Sequence, residues 1–137
     1  MPNSPEPTVW PVLHYDDTGS ALRFLVDAFG FREALVVPDD QGEVVHAELR
    51  WPGGGAVVFG STKHTDSVHG EMRAGASASY VVAHDVDAVY QRARQANAEI
   101  VEQLNDTEFG SGIETRAFTA RDPEGNLWTF GTYRGAP

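Results

Sequence analysis

His46 and Glu48 stand two residues apart in the run Val45-His46-Ala47-Glu48-Leu49, where polar and apolar side chains alternate as in a strand with one face on a core. His46, Glu48 and Arg50 then share one face, and Val45, Ala47 and Leu49 pack under a helix. An imidazole and a carboxylate so placed can share a hydrogen bond, which suits proton transfer or the holding of a polar ligand group. An ordinary solvated strand face has the same pattern, so the pair is a candidate with a bland alternative.

A second group lies near the start of the chain. Trp10, Val12 and His14 alternate onto one face, where the indole would form a stacking wall for a flat or apolar ligand, or simply pack in a core. His14 reads equally as a satisfied edge histidine or a ligand contact. Trp51 precedes Pro52 at a turn, a place for a cavity rim or an interface. Thr129 is flanked by Trp128 and Phe130, so the aromatics point toward a helix and the hydroxyl points the other way. His64 and His69 lie five apart in a polar stretch without a carboxylate at metal-binding spacing. Asn105 to Gly112 reads as a glycine-rich loop, able to close over a ligand or merely to turn a long hairpin. With no cysteine in 137 residues, thiolate metal sites, disulfides and cysteine nucleophiles are excluded. No Ser-His-Asp order, phosphate-cradling loop or redox pair is visible.

The charge balance narrows the partners. Twenty acidic residues against ten Lys and Arg give a formal net charge of -10, which repels a phosphate backbone and an anionic membrane and favours a cationic ligand. No apolar run spans a bilayer, and Met1 to Pro7, with three prolines, lacks signal-peptide regions and reads as an extended lead-in. The expectation is a cytoplasmic protein that binds neither nucleic acid nor membrane.

The elements that would position these residues occur twice. A strand over Val9–Tyr15 runs into a helix capped by Asp17 or Thr18, with Leu22, Leu25, Val26 and Phe29 at helical spacing and Gly30 as the stop. Strands follow over Glu33–Val37, Glu43–Trp51 and Ala56–Phe59. After an irregular linker, the second half gives a strand at Tyr80–Ala83, a helix with Val86, Val89, Tyr90 and Ala93 on one face, and strands at Ala98–Val101, Ile113–Ala120 and Leu127–Tyr133. A shift of 71 places Arg50, Pro52, Gly54, Phe59, Gly60 and Ser61 on Arg121, Pro123, Gly125, Phe130, Gly131 and Thr132, while a shift of 69 places Val12 on Val81 and Asp16 on Asp85. The fold class is α+β: one domain over 1–137, made of two βαβββ modules at 9–61 and 77–133 joined by a linker at 62–76. One such module exposes an apolar sheet face, so two must pair.

The turn Asp122-Pro123-Glu124-Gly125-Asn126 before a terminal strand, with Ala28-Phe29-Gly30-Phe31 and the strand around His46, resembles the glyoxalase/bleomycin resistance/dioxygenase (vicinal oxygen chelate) superfamily, in particular its PhnB-like subgroup. The resemblance runs from Val9 to Tyr133. It implies mixed sheets curled around a cavity with helices on the convex faces, and pairing of two subunits into a homodimer. Metal-dependent members carry a His or acid on the first strand of each module and an acid on the last. Those positions fall here on Trp10, on Val58 or Phe59, on Ala78 or Ser79, and on Thr129, none of which offers an imidazole or carboxylate. The expectation is therefore no cofactor and no family metal site, unless a slipped register brings His14, or His46 with Glu48, inward. Ring cleavage, isomerisation and drug sequestration all occur on this fold. The first reading is a small-molecule binder, in the manner of a drug-sequestering resistance protein, holding an aromatic or cationic compound against Trp10, His14, His46, Glu48, Trp51 and Thr129. The alternative is an enzyme, a lyase, isomerase or dioxygenase-type protein, using His46 and Glu48 or a metal at a noncognate set.

Overall fold

The computed structural model describes residues 8–63, 68–108 and 112–135. The first module contains β1 (Val12–Tyr15), α1 (Thr18–Phe24) continued by a π-helical turn (Leu25–Phe29), β2 (Arg32–Pro38), β3 (Val44–Arg50) and β4 (Ala56–Ser61). A short 3-10 turn (Val68–Glu71) lies in the linker. The second module follows with β5 (Ala78–Val82), α2 (Val86–Gln95), β6 (Glu99–Glu108), β7 (Glu114–Arg121) and β8 (Leu127–Gly131). Each module forms a four-stranded sheet, in the orders β1-β4-β3-β2 and β5-β8-β7-β6. The first strand runs parallel to the last and the remaining pairs are antiparallel, because a helix intervenes only after the first strand and hairpins join the others.

The two helices start alike and end differently. Asp17 and Asp85, 68 positions apart, each cap a helix by accepting from the backbone N–H three residues on. Thr18, the other cap candidate, instead donates its hydroxyl to the carbonyl of Val44. The strands agree with the caps: Val12 lies opposite Val58 and Tyr80 opposite Thr129, so the modules register at 68 there, not 69. The helices reach their left-handed stops at Gly30 (φ 92°) and Asn97 (φ 61°), 67 apart. The π turn accounts for the residue gained in module one, since an i→i+5 turn inserts one residue without moving the flanks. Most of the remaining length difference lies in the β6–β7 hairpin. β6 extends to Glu108 and pairs Asn105, Asp106 and Thr107 with β7, so Asn105 to Glu108 are strand where a loop was expected. Phe109, Gly110 and Ser111 lie outside the described residues. Two register shifts let the long strand stay paired.

The helix-side faces form one core shared by both modules. Leu13, Tyr15, Ala47, Leu49 and Phe59 from the first sheet join Phe118, Ala120, Trp128 and Phe130 from the second. Phe29 bridges them, its ring 4.8 Å from Phe130 and 5.7 Å from Trp128. Ala47 and Leu49 pack as their alternation requires, but Val44 replaces Val45 in the core, because a bulge between Val37 and Pro38 turns the strand by one residue.

The Asp122–Asn126 turn is a strut between modules. The buried Asp122 carboxylate accepts from the Tyr15 hydroxyl, the Trp128 indole at 3.0 Å, the Asn126 amide side chain and backbone N–H groups at Glu124 and Asn126. Glu124 in turn accepts from the backbone N–H of Asp16 and Asp17. Burial first, then the neighbouring Asp122 charge, hold the Tyr15 phenol far above its ordinary pKa, so it stays a donor.

Candidate functional site: the open faces of the two sheets

Opposite the core, each sheet has a face that no helix covers. In the first, strand register sets Val12, Val58, Glu48 and Leu35 in one row and His14, Gly60, His46 and Val37 in the next. His46 and Glu48 are joined by a 2.9 Å contact from Nε2 to Oε2, both side chains part-exposed. Around them Val12 (49 %), Leu35 (46 %) and Val37 (37 %) are solvent-exposed. Three exposed aliphatics on one sheet face beside an acid–imidazole pair form a surface to which an apolar molecule with a polar group can be fitted.

His14 shares the row with His46 but not its surroundings. Gly60 separates them, which places the two backbones about 10 Å apart at ordinary strand spacing. His14 is buried at 8 % exposure because the 3-10 turn folds over it, stacking His69 on its ring at 5.5 Å. Burial, and next the His69 charge, lower its pKa, which favours the neutral imidazole. The linker is thus a cover on one end of the open face, which its lack of periodicity did not reveal. His64 lies outside the described residues.

The second open face has the same geometry and other chemistry. Its rows are Tyr80, Thr129, Thr119, Glu102 and Val82, Gly131, Ala117, Asn105. Thr129 and Thr119 share a hydrogen bond of 2.7 Å, and the Thr119 hydroxyl also lies 3.2 Å from Glu102 Oε1. This ladder lines a hollow of about 250 Å³ with Asn105 and Thr107. Tyr80 lies across Gly131, where a Cβ would come within 2.8 Å of its hydroxyl, and donates to the Tyr133 carbonyl at 2.7 Å.

The six residues singled out by sequence therefore divide among four places. His14, His46 and Glu48 share the first open face, and Thr129 lies on the second. Trp51 lies at neither: its indole donates to the Val82 carbonyl at 3.0 Å, and its ring packs on Phe31 and Phe130 at the junction of the modules. Trp10 falls outside β1, which begins only at Val12, so the expected strand over Val9–Tyr15 is shorter than its composition implies. Pro11 has no N–H for the ladder, although its carbonyl still accepts from Val58. Leu35, Val37, Tyr80, Glu102 and Thr119 were missed. Alternation places each on a strand face, but only the cross-strand register shows that they share a face with His46 or Thr129.

Register also decides the paired alternatives for the metal positions. Val58 and Ala78 belong to the open faces, while Phe59 and Ser79 belong to the core-side rows. An indole, two alkyl groups and a hydroxyl do not fit a divalent ion. Among the described residues no three His, Asp or Glu side chains gather as a metal-binding group, and the slipped-register set of His14, His46 and Glu48 is not brought together. No helix among the described residues is long and apolar enough to cross a membrane.

Two four-stranded mixed sheets built from tandem βαβββ modules, with a helix packed on one face of each, define a class of fold. The Glyoxalase/Bleomycin resistance protein/Dioxygenase superfamily matches residues 9–130, and the chain belongs to it. An uncharacterized protein of Mycobacterium tuberculosis strain H37Rv is 32% identical, over 92% of this chain and 74% of its own length. TioX from Micromonospora sp. ML1 is 34% identical with a TM-score of 0.72, over 92% of this chain and 99% of that one. The bleomycin-binding protein of Streptomyces verticillus, solved with copper(II)-bleomycin, shares the fold at 21% identity and a TM-score of 0.63, over 98% of this chain and 100% of that one.

Proposed function

We propose that this chain is a small-molecule binding protein that takes an apolar or aromatic compound carrying a cationic group, without a metal, and sequesters it. The observation that carries the reading is the first open face, where exposed Val12, Leu35 and Val37 surround the His46–Glu48 pair. Glu48 there and Glu102 on the second face supply negative charge within a chain of net charge -10. The bleomycin-binding protein of the same fold supports sequestration as in drug resistance. We place two copies in the working assembly, so that open faces are opposed around the ligand, in the cytoplasm. Sedimentation checks the assembly. Fluorescence titration of planar cationic antibiotics and dyes tests the binding: Glu48→Gln is expected to weaken it about tenfold, as loss of one charge-assisted contact. If no compound binds, or if Glu48→Gln binds as well as the parent, the reading fails.

The 2.9 Å His46–Glu48 contact favours a second reading, a metal-free lyase or isomerase in which His46 moves a proton and Glu48 orients it. Its test is a substrate screen in which His46→Ala abolishes turnover while Glu48→Gln lowers it. Turnover unchanged in His46→Ala removes this reading.

A further inference from the structure

The junction of the two modules holds a cavity of about 470 Å³, apart from His46 and Glu48 and within the size range of drug-like ligand sites. Phe31, Trp51 and Trp128 line it on one side, and Val57 and Val81 continue the apolar wall. The turn Gly53-Gly54-Gly55 borders it, with Gly54 (φ 113°) and Gly55 (φ 90°) in the left-handed region. A Cβ on Gly53 would already be in contact with the Trp51 indole at 3.4 Å, so the turn lies directly on the ring.

The charge of this cavity runs against that of the chain. Among the described residues its lining holds Arg134 and His84 and no Asp or Glu, although acids outnumber Lys and Arg two to one overall. Arg134 places Nη1 3.3 Å from His84 Nδ1 and Nη2 3.2 Å from Nε2. The ring nitrogens point away from each other and a neutral imidazole has one acceptor, so both contacts cannot be in-plane hydrogen bonds. The guanidinium instead lies against the ring, which leaves its N–H edge for a bidentate acceptor. Among the described residues Arg134 has no carboxylate partner.

We propose that this junction cavity is a separate binding site for a flat aromatic carboxylate, with the ring against Trp51 and Phe31 and the carboxylate on Arg134. It uses neither His46 nor Glu48, although Tyr80 and Val82 of the second open face border it, and it takes a ligand of opposite charge.

A matched pair of probes tests it: 1-naphthoate and its uncharged amide, titrated into the full chain while the Trp51 indole N–H is followed by NMR, that resonance being identified with Trp51→Phe. The expected result is that naphthoate shifts the resonance and binds at least about tenfold tighter than the amide. Arg134→Glu removes that preference, and His46→Ala leaves it intact. Arg134 is exposed, so Arg134→Glu leaves the core untouched and its thermal midpoint serves as the folding control. Equal affinity for acid and amide, a preference that survives Arg134→Glu, or an unmoved Trp51 resonance would each overturn the proposal.

Discussion

The two open faces occupy equivalent positions in the repeat, yet Glu48, His46 and Val58 in the first sheet become Thr119, Ala117 and Thr129 in the second. On the core side the same strands match Ala47 with Phe118, Leu49 with Ala120, Val57 with Trp128 and Phe59 with Phe130, apolar at every position. The buried faces vary in volume within one chemistry, because a packed core accepts different apolar shapes more readily than polar ones. The open faces have diverged: imidazoles and exposed aliphatics on one, and on the other a hydrogen-bonded hydroxyl ladder in which Thr119 and the neighbouring Ala117 are buried. What distinguishes one module from the other is written on the helix-free side.

The comparison can be broken first at the element both faces depend on. Asp122→Ala strips a common acceptor from the Tyr15, Trp128 and Asn126 side chains. Burying these donors unpaired is expected to cost at least about 3 kcal/mol by urea denaturation, with both sheets loosening together. A cost below about 1 kcal/mol would show that the turn is no strut.

A glycine pair gives a sharper contrast. Gly131→Ala drives a methyl into Tyr80, with contacts of 2.8 Å and 3.1 Å, and is expected to cost about 1–3 kcal/mol and to move Tyr80 off the second face. Gly60→Ala, the equivalent change in the first sheet, meets only the Val45 carbonyl at 3.4 Å and is expected to fall within about 0.5 kcal/mol of the parent. Equal effects would deny that the faces differ in how tightly they are filled.

Histidine supplies a smaller effect and a sign. Because the folded chain holds the His14 pKa below its ordinary value of 6.5, the unfolded chain binds a proton more readily there. His14 therefore contributes stability that is fully present above that value and is lost as pH falls through the lowered folded pKa. The urea midpoint is expected to fall more between pH 7.5 and 5.5 in the parent than in His14→Gln. His69→Ala should fall between the two, since it removes the His69 charge and uncovers one side of the His14 ring while leaving the imidazole in place.

Much of this was legible in the sequence, and for identifiable reasons. Period-two alternation placed His46 and Glu48 together and Trp128 and Phe130 in the core, since each strand buries one face. Asp17 and Gly30 were readable as helix ends because their side-chain chemistry is local. The shift of 71 over the last strands holds, whereas the shift of 69 at the module starts is 68, because Asp16 and Asp17 match Asp85 equally well by residue type and only the caps and the strand register choose between them. The cover of His14 by His69, the Trp51 tie to Val82 and the apolar frame of Leu35 and Val37 depend on contacts between distant segments, and no local pattern encodes them.

In the function proposed above, a small molecule is held on the open faces. A titration of the same planar cationic compounds, followed through the backbone amide resonances of β1, β3, β4 and β8, tests it most directly. The account predicts that a bound compound moves the resonances of His14, His46, Glu48 and Thr129 together. Shifts confined to α1 and α2, with those four unmoved at saturation, would contradict it.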